Sequence, residues 1–481
     1  MRASYMWAAL AAALISAPVL GQLDEDGTHV TLRGQSFEVF SPDRLRARGL
    51  EVPEIPRERN AAWVYVDAIN KFVLPPQDVD HEVFDAAVAG TWPEGEAGNK
   101  LSDWLEQNEQ ALDLTRRAAS MPEYHMPLFR GDSDALLMAL LPHLAPQRQL
   151  AKLLSVDATR QMAQGRAEAA IENYLTTQRM GHQVGHGNTL IEGLVGIAVS
   201  GLAERGFMRV ADLGAVDGAV LQAAGAELDR LADSFPDWDD MVRAEQKWAT
   251  SAIDDMLELP GTMNVLFVGA SALTPPRADQ TGWSRLATRL KRLYLPDRSM
   301  KKHMRDHYEA LIAATNHEDG SVGIDLDAEA ALMKRLPAWD VLGRMLLPSL
   351  SRSHELALRG RSNLVRARTA LAIAEYRNDH GRNPPALTSL IPRYIPEVPI
   401  DPMTGHELES EPVVASAHAT GLALVTRKTE KKLKDKRKQP AIGRSRVSRW
   451  RRYAESFATG PGLTAAQRAS VESIVREIEV R

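Results

Sequence analysis

Between Asn60 and Asn383 the sequence carries almost no strand signal, and apolar residues recur there at i, i+3 and i+4. That period of about 3.6 residues places an apolar stripe on one face of a helix, and each stripe needs a partner stripe to be hidden from water. Ala61, Ala62, Trp63, Val66 and Ile69 show the pattern at its clearest, with Asn60 as the N-cap. Further helices are predicted over Ser102–Ala119, Ser133–Leu144, Pro146–Gln164, Ala167–Gly181, Asn188–Leu213, Val216–Ser234, Trp238–Leu259, Asp297–Asn316 and Ser351–His380. The fold class that follows is mainly α: antiparallel helical hairpins forming a bundle or a short solenoid-like array.

Sheet is expected only at the margins. His29 to Phe40 alternates with β-formers and reads as a hairpin, and minor β is expected again near residues 412–426. The domain organisation that results is a signal peptide at 1–21, a small hairpin and linker at 22–59 and a helical domain at 60–260. A Pro/Gly-rich connection follows at 261–296, then a continuation of the helical core at 297–382 and a Pro-rich module with short strands at 383–426. A basic segment at 427–452 and a C-terminal helix at 463–481 complete the chain.

The signal peptide is read from Arg2, the apolar run from Trp7 to Leu20 and the small-residue site Val19-Leu20-Gly21 ahead of Gln22. It implies export to the periplasm or cell envelope, and an uncleaved signal serving as a membrane anchor is the alternative. With no Cys in 481 residues, disulfides, thiolate nucleophiles and Cys-based metal centres are excluded. No G-x-S-x-G elbow, P-loop or dinucleotide fingerprint occurs.

Two resemblances are local. Ala158–Thr177, with Gly165 at the turn, small Ala169 and Ala170 and then Tyr174 to fill the groove, resembles a single tetratricopeptide-type hairpin. Leu364–Gly405 closes a helix at His380-Gly381 and continues through Pro384, Leu390-Ile391, Tyr394-Ile395 and Asp401-Pro402. It resembles the module that follows the long helix of type II secretion major pseudopilins, and also a motif of uncharacterised exported helical bacterial proteins. The second group implies an exported helical fold with no assigned activity. The first departs at its end, because no acidic calcium-binding loop follows Gly405.

Three groups of residues carry candidate chemistry. His182 and His186 stand at i, i+4 on one helical face and could share a zinc ion, with Glu192 as the nearest carboxylate; Gln183 occupies the position where zinc proteases carry their Glu base. His303 and His307 repeat the spacing in a cationic setting of Lys301, Lys302 and Arg305. Carboxylates cluster at Asp237, Asp239 and Asp240, at Asp254, Asp255 and Glu258, and from Glu318 to Asp327, and the first of these reads as a helix cap.

The basic segment is the sharpest surface feature, with thirteen Lys and Arg between Arg427 and Arg452 against Glu430 and Asp435 in a chain of net charge −5. Lys431, Lys432, Lys434, Lys436, Arg437, Lys438, Arg444, Arg446, Arg449, Arg451 and Arg452, with Trp450 among them, suit an anionic envelope surface. Nucleic acid is the least favoured partner for an exported chain. The reading that emerges is a non-enzymatic scaffold for a protein partner, with no cofactor required; the alternative is a periplasmic hydrolase that uses zinc at His182 and His186.

Overall fold

The computed structural model describes residues 28–131, 136, 139–213, 216–235, 237–258, 297–313, 331 and 341–408. The expected signal peptide, the 261–296 connection, the acidic stretch 318–327, the strands near 412–426, the basic segment and the 463–481 helix lie outside the described residues.

The chain is mainly α. Its described helices are α1 (Pro42–Ala47), α2 (Ala61–Lys71), α3 (His81–Val88), α4 (Gly95–Gln107), α5 (Glu109–Ala119) and α6 (Leu144–Ala163). They continue with α7 (Ala167–Gly185), α8 (Leu190–Leu213), α9 (Gly218–Ser234), α10 (Trp238–Glu258), α11 (Asp297–Ala313) and α12 (Val341–His380). Two small antiparallel sheets accompany them: β1 (His29–Leu32) with β2 (Gln35–Glu38), and β3 (Ile400–Asp401) with β4 (His406–Glu407). The first is the expected hairpin, closed by Arg33 and Gly34 at positive φ and registered His29 to Glu38.

Helix α2 starts where its cap predicts, because the Asn60 side chain accepts from the Ala62 amide. It is apolar on nearly every face, and from Ala61 to Ile69 all but Asp67 are buried, which makes it the central rod of one core. That core joins α2 to the β1–β2 hairpin, α3 to α6 and the C-terminal half of α7. A second core joins α7, α8, α9 and α12 to the segment 387–408. Helices α6, α7 and α8 run from one core to the other as consecutive hairpins, with the α7–α8 pair the most extensive contact of the fold.

Three expected helices differ, one of them only in its start, since α12 begins at Val341 and not at Ser351. Ser102–Ala119 is broken at Asn108, which is fully buried and spends its side chain on the Val73 amide and on the carbonyls of Val73 and Trp104. Of Ser133–Leu144, residues 139–143 are not helical: the Leu140 amide donates to the Phe129 carbonyl in an isolated bridge, and the α-helix begins at Leu144. Pro142 is the physical reason, since its ring disfavours the helical region for the residue before it.

The residues of the two local resemblances have clear packing roles. Gly165 turns α6 into α7 at φ +73°, and buried Tyr174 packs its ring edge-on against Phe207 of α8. Gly381 ends α12 at φ +66°, after which half-buried Pro384 starts the returning path. Asp401, buried, accepts from Arg366 of α12 and from the Met403 amide, with half-buried Pro402 between.

Candidate functional site

Three places concentrate polar or exposed chemistry, two of them at helix ends. The first is where α7 finishes against the end of α9. His182 and His186 lie one turn apart with ring centroids 4.6 Å apart and Nε2 atoms 3.3 Å apart. Both address Ser234, the last residue of α9: His182 Nε2 is 2.9 Å from its Oγ and His186 Nε2 is 2.8 Å from its carbonyl oxygen. The Phe235 ring stands edge-on to His182, while His186 is exposed. Burial, with the neighbouring His186 second, pushes the His182 imidazole down to about 4, so at neutral pH it is uncharged. Gln183 faces the opposite way, into the first core, where it accepts from the Tyr65 hydroxyl and donates to the carbonyls of Ala118 and Met121.

Glu192 does not join this pair through its carboxylate. It forms a reciprocal capping box with Thr189: the Thr189 amide and hydroxyl donate to Glu192 Oε2, and the Glu192 amide donates to Thr189 Oγ. Its other oxygen stands 3.5 Å from Nε2 of buried His143, and Glu245 of α10 accepts from the next amide, Leu190. Both carboxylates thus meet the positive end of α8, where free amides and the helix dipole favour them. With His143 and Glu192 sealed from solvent, this node braces the start of α8. Thr189→Val, which removes the hydroxyl and keeps the shape, should cost about 1–2 kcal/mol in urea unfolding, with no loss of helix content in the folded state.

The second place is the turn after α2. Val73 and Leu74 are exposed, at 39% and 52%, and Pro75-Pro76 follows. The turn is held from beneath by buried side chains. Trp104 Nε1 donates to the Val73 carbonyl at 2.9 Å, and Asn108 both accepts from the Val73 amide and donates to its carbonyl. Beside it, the β1–β2 turn is fixed to α2 through Asn70, and Arg33 lies 5.9 Å over the Phe72 ring. Exposed Arg33 and Lys71 therefore flank the apolar tip, and Asp78 nearby is neutralised by Lys100 at 2.9 Å.

The third is Glu204 on α8, fully buried with Oε2 lacking a hydrogen-bond partner. Burial pushes its carboxyl up to about 8, against the weaker opposing pull of Arg205 and a hydrogen bond to Asn363.

Among the described residues, no group of three His, Asp or Glu side chains is arranged to hold a metal ion. His307 is buried beside Tyr308, and the His303 side chain lies outside the described residues. Asp240 accepts from the Asp237 amide at the start of α10, as a capping group does. The cations of the basic segment and Trp450 lie outside the described residues. No family model, no curated protein and no solved structure matches this chain. The apolar tip and Glu204 were not singled out from the sequence.

Proposed function

We propose that this chain is an exported, non-enzymatic helical scaffold that offers the Val73–Leu74 tip to a protein partner and its basic segment to an anionic envelope surface. The observation that supports the reading is the clamp on Val73. An exposed apolar side chain alone is ordinary, but here buried Trp104 and Asn108 hold the peptide beneath two adjacent apolar side chains. A turn ordered in advance loses little entropy on docking, which is how small apolar anchors bind well. Arg33 and Lys71 at the rim fit a partner whose apolar pocket is edged by carboxylates. A signal peptide and the resemblance to uncharacterised exported helical proteins supply the compartment. Hydrolysis through His182 and His186 gains nothing from Glu192, whose carboxylate is engaged in its capping box.

A photocrosslinking residue introduced in place of Leu74, in cells that make the full chain, should give one discrete adduct in the envelope fraction. Asn108→Ala, which releases Val73, should abolish it. Absence of any adduct, or the same adducts from an equally exposed control at Ile400, would reject the docking role. For the second surface, the full chain should sediment with vesicles containing anionic lipid and be released by salt, and deletion of residues 427–452 should remove this. Sedimentation unchanged by the deletion would reject that part alone.

A further inference from the structure

We propose that His182 and His186, together with the main-chain carbonyl of Ser234, bind one divalent ion of the zinc, copper and nickel group, tying the end of α7 to the end of α9. This does not depend on the protein-partner reading above. The inference starts from proximity: two imidazoles one helical turn apart bring their Nε2 atoms to 3.3 Å from one another, both beside Ser234. An ion held by imidazole nitrogen at about 2.0–2.1 Å in a tetrahedral field keeps neighbouring donors about 3.4 Å apart, so the pair already has the spacing of two ligands. Imidazole suits these ions in particular, and calcium or magnesium would prefer a set of oxygens.

The carbonyl end of α9 favours a cation. The Ser234 carbonyl belongs to the last residue of α9, where carbonyls have no acceptor role left within the helix and the dipole is negative. It sits 2.8 Å from His186 Nε2, and the Ser234 hydroxyl sits 2.9 Å from His182 Nε2. The charged groups facing the pair are Glu227 and Arg230 of α9. Arg230 is tied to Glu227 by hydrogen bonds of 2.8 and 2.9 Å, and Arg179 also reaches Glu227 at 2.8 Å. Their charges are thus largely spent on one another. Exposed His186 leaves a path from solvent and room for water to complete the coordination, while Phe235 closes the far side.

The hydrogen bonds leave the pair free to change tautomer. The carbonyl of Ser234 can only accept, so without an ion His186 turns an Nε2–H toward it, and the Ser234 hydroxyl donates to the Arg230 carbonyl and accepts from His182 when that ring carries its proton on Nε2. An ion lets both imidazoles move their proton to Nδ1 and present lone pairs together, and leaves the hydroxyl proton to Arg230. The loop that starts at His186 leads into the Thr189 capping box, so the ion would also steady the α7–α8 turn.

The test uses untagged full-length protein stripped with a chelator and titrated with zinc by calorimetry. One ion per chain is expected, with a rise in melting temperature. His182→Asn and His186→Asn should each weaken binding by more than about tenfold, the loss already found when only the partners behind a metal-bound His are removed, and should cancel the rise. If either variant misfolds without metal, as judged by circular dichroism, paramagnetic resonance of the wild-type protein loaded with one equivalent of copper decides. Coupling to two nitrogens is required. Coupling to one or none, no saturable zinc site, or unchanged zinc binding in a folded double variant overturns the proposal.

Discussion

Replacing Glu204 by Gln raises stability at pH 9 by several kcal/mol and leaves it nearly unchanged at pH 4. The wild-type carboxyl is fully buried on α8 with one oxygen unpartnered, and burial holds its affinity for protons up to about 8 against an ordinary value of 4.5. The folded state therefore binds a proton that the unfolded chain has already released between those two values. Stability that is fully present below pH 4.5 is lost as pH rises, and the loss is complete above pH 8. Each tenfold change in proton affinity is worth about 1.4 kcal/mol, so the full cost is of order 5 kcal/mol. Gln keeps the neutral shape and the reach to Asn363 and has no proton to lose. Urea unfolding of both proteins at pH 4, 6 and 9 should show the curves coincident at the acid end and separated at the alkaline end. Parallel behaviour across all three would mean that Glu204 ionises in the interior at no cost. Glu245, whose carboxyl burial also raises, adds to the wild-type slope in the same direction, so the variant flattens the profile without abolishing its fall.

Local chemistry made much of the fold legible. Asn60 announced α2 because an N-cap acts on the amide two residues away, and the β1–β2 hairpin followed from alternation alone. What failed depended on distant partners. Asn108 looks like an ordinary polar position in a helical run, and only Trp104 and Val73 packed beside it show why the helix breaks there. Pro142 was a local signal that outweighed the apolar pattern around it, and the described residues that lead into it, 139–141, are not helical. The site divides in the same way. The His182–His186 spacing is visible in the sequence, whereas Ser234, which both rings address, lies 52 and 48 residues on. Glu192 shows the opposite case: Thr189 three residues before it is a capping-box signature, and that local explanation accounts for its carboxylate better than a role beside the histidines.

Gly196→Ala should be the most damaging single methyl addition on the α7–α8 crossing, costing about 3 kcal/mol or more, the upper end for overpacked cores. The two helices cross through Gly181, Gly185, Gly196 and Ser200. A Cβ at Gly196 would meet the Gly181 carbonyl oxygen and the Gly185 amide and Cα, each at 2.6 Å. All three are backbone atoms, so no side-chain rotation relieves the clash and the helices must separate. Gly206→Ala offers a graded comparison: its Cβ would meet the Tyr174 ring at 2.2–2.5 Å, and a ring can tilt, although this one is packed against Phe207. Gly165→Ala, in the α6–α7 turn, meets nothing within 4 Å and is strained only by φ +73°, worth about 1–2 kcal/mol. Urea midpoints should therefore fall in the order Gly165→Ala, Gly206→Ala, Gly196→Ala, with the last the least stable. Because the same crossing carries Gly185 into His186, separating the helices at Gly196 should also pull the imidazole pair away from Ser234. A Gly196→Ala protein that unfolds no earlier than the Gly165 variant would show that the helices do not meet this closely, and the placement of His182 and His186 would fall with it.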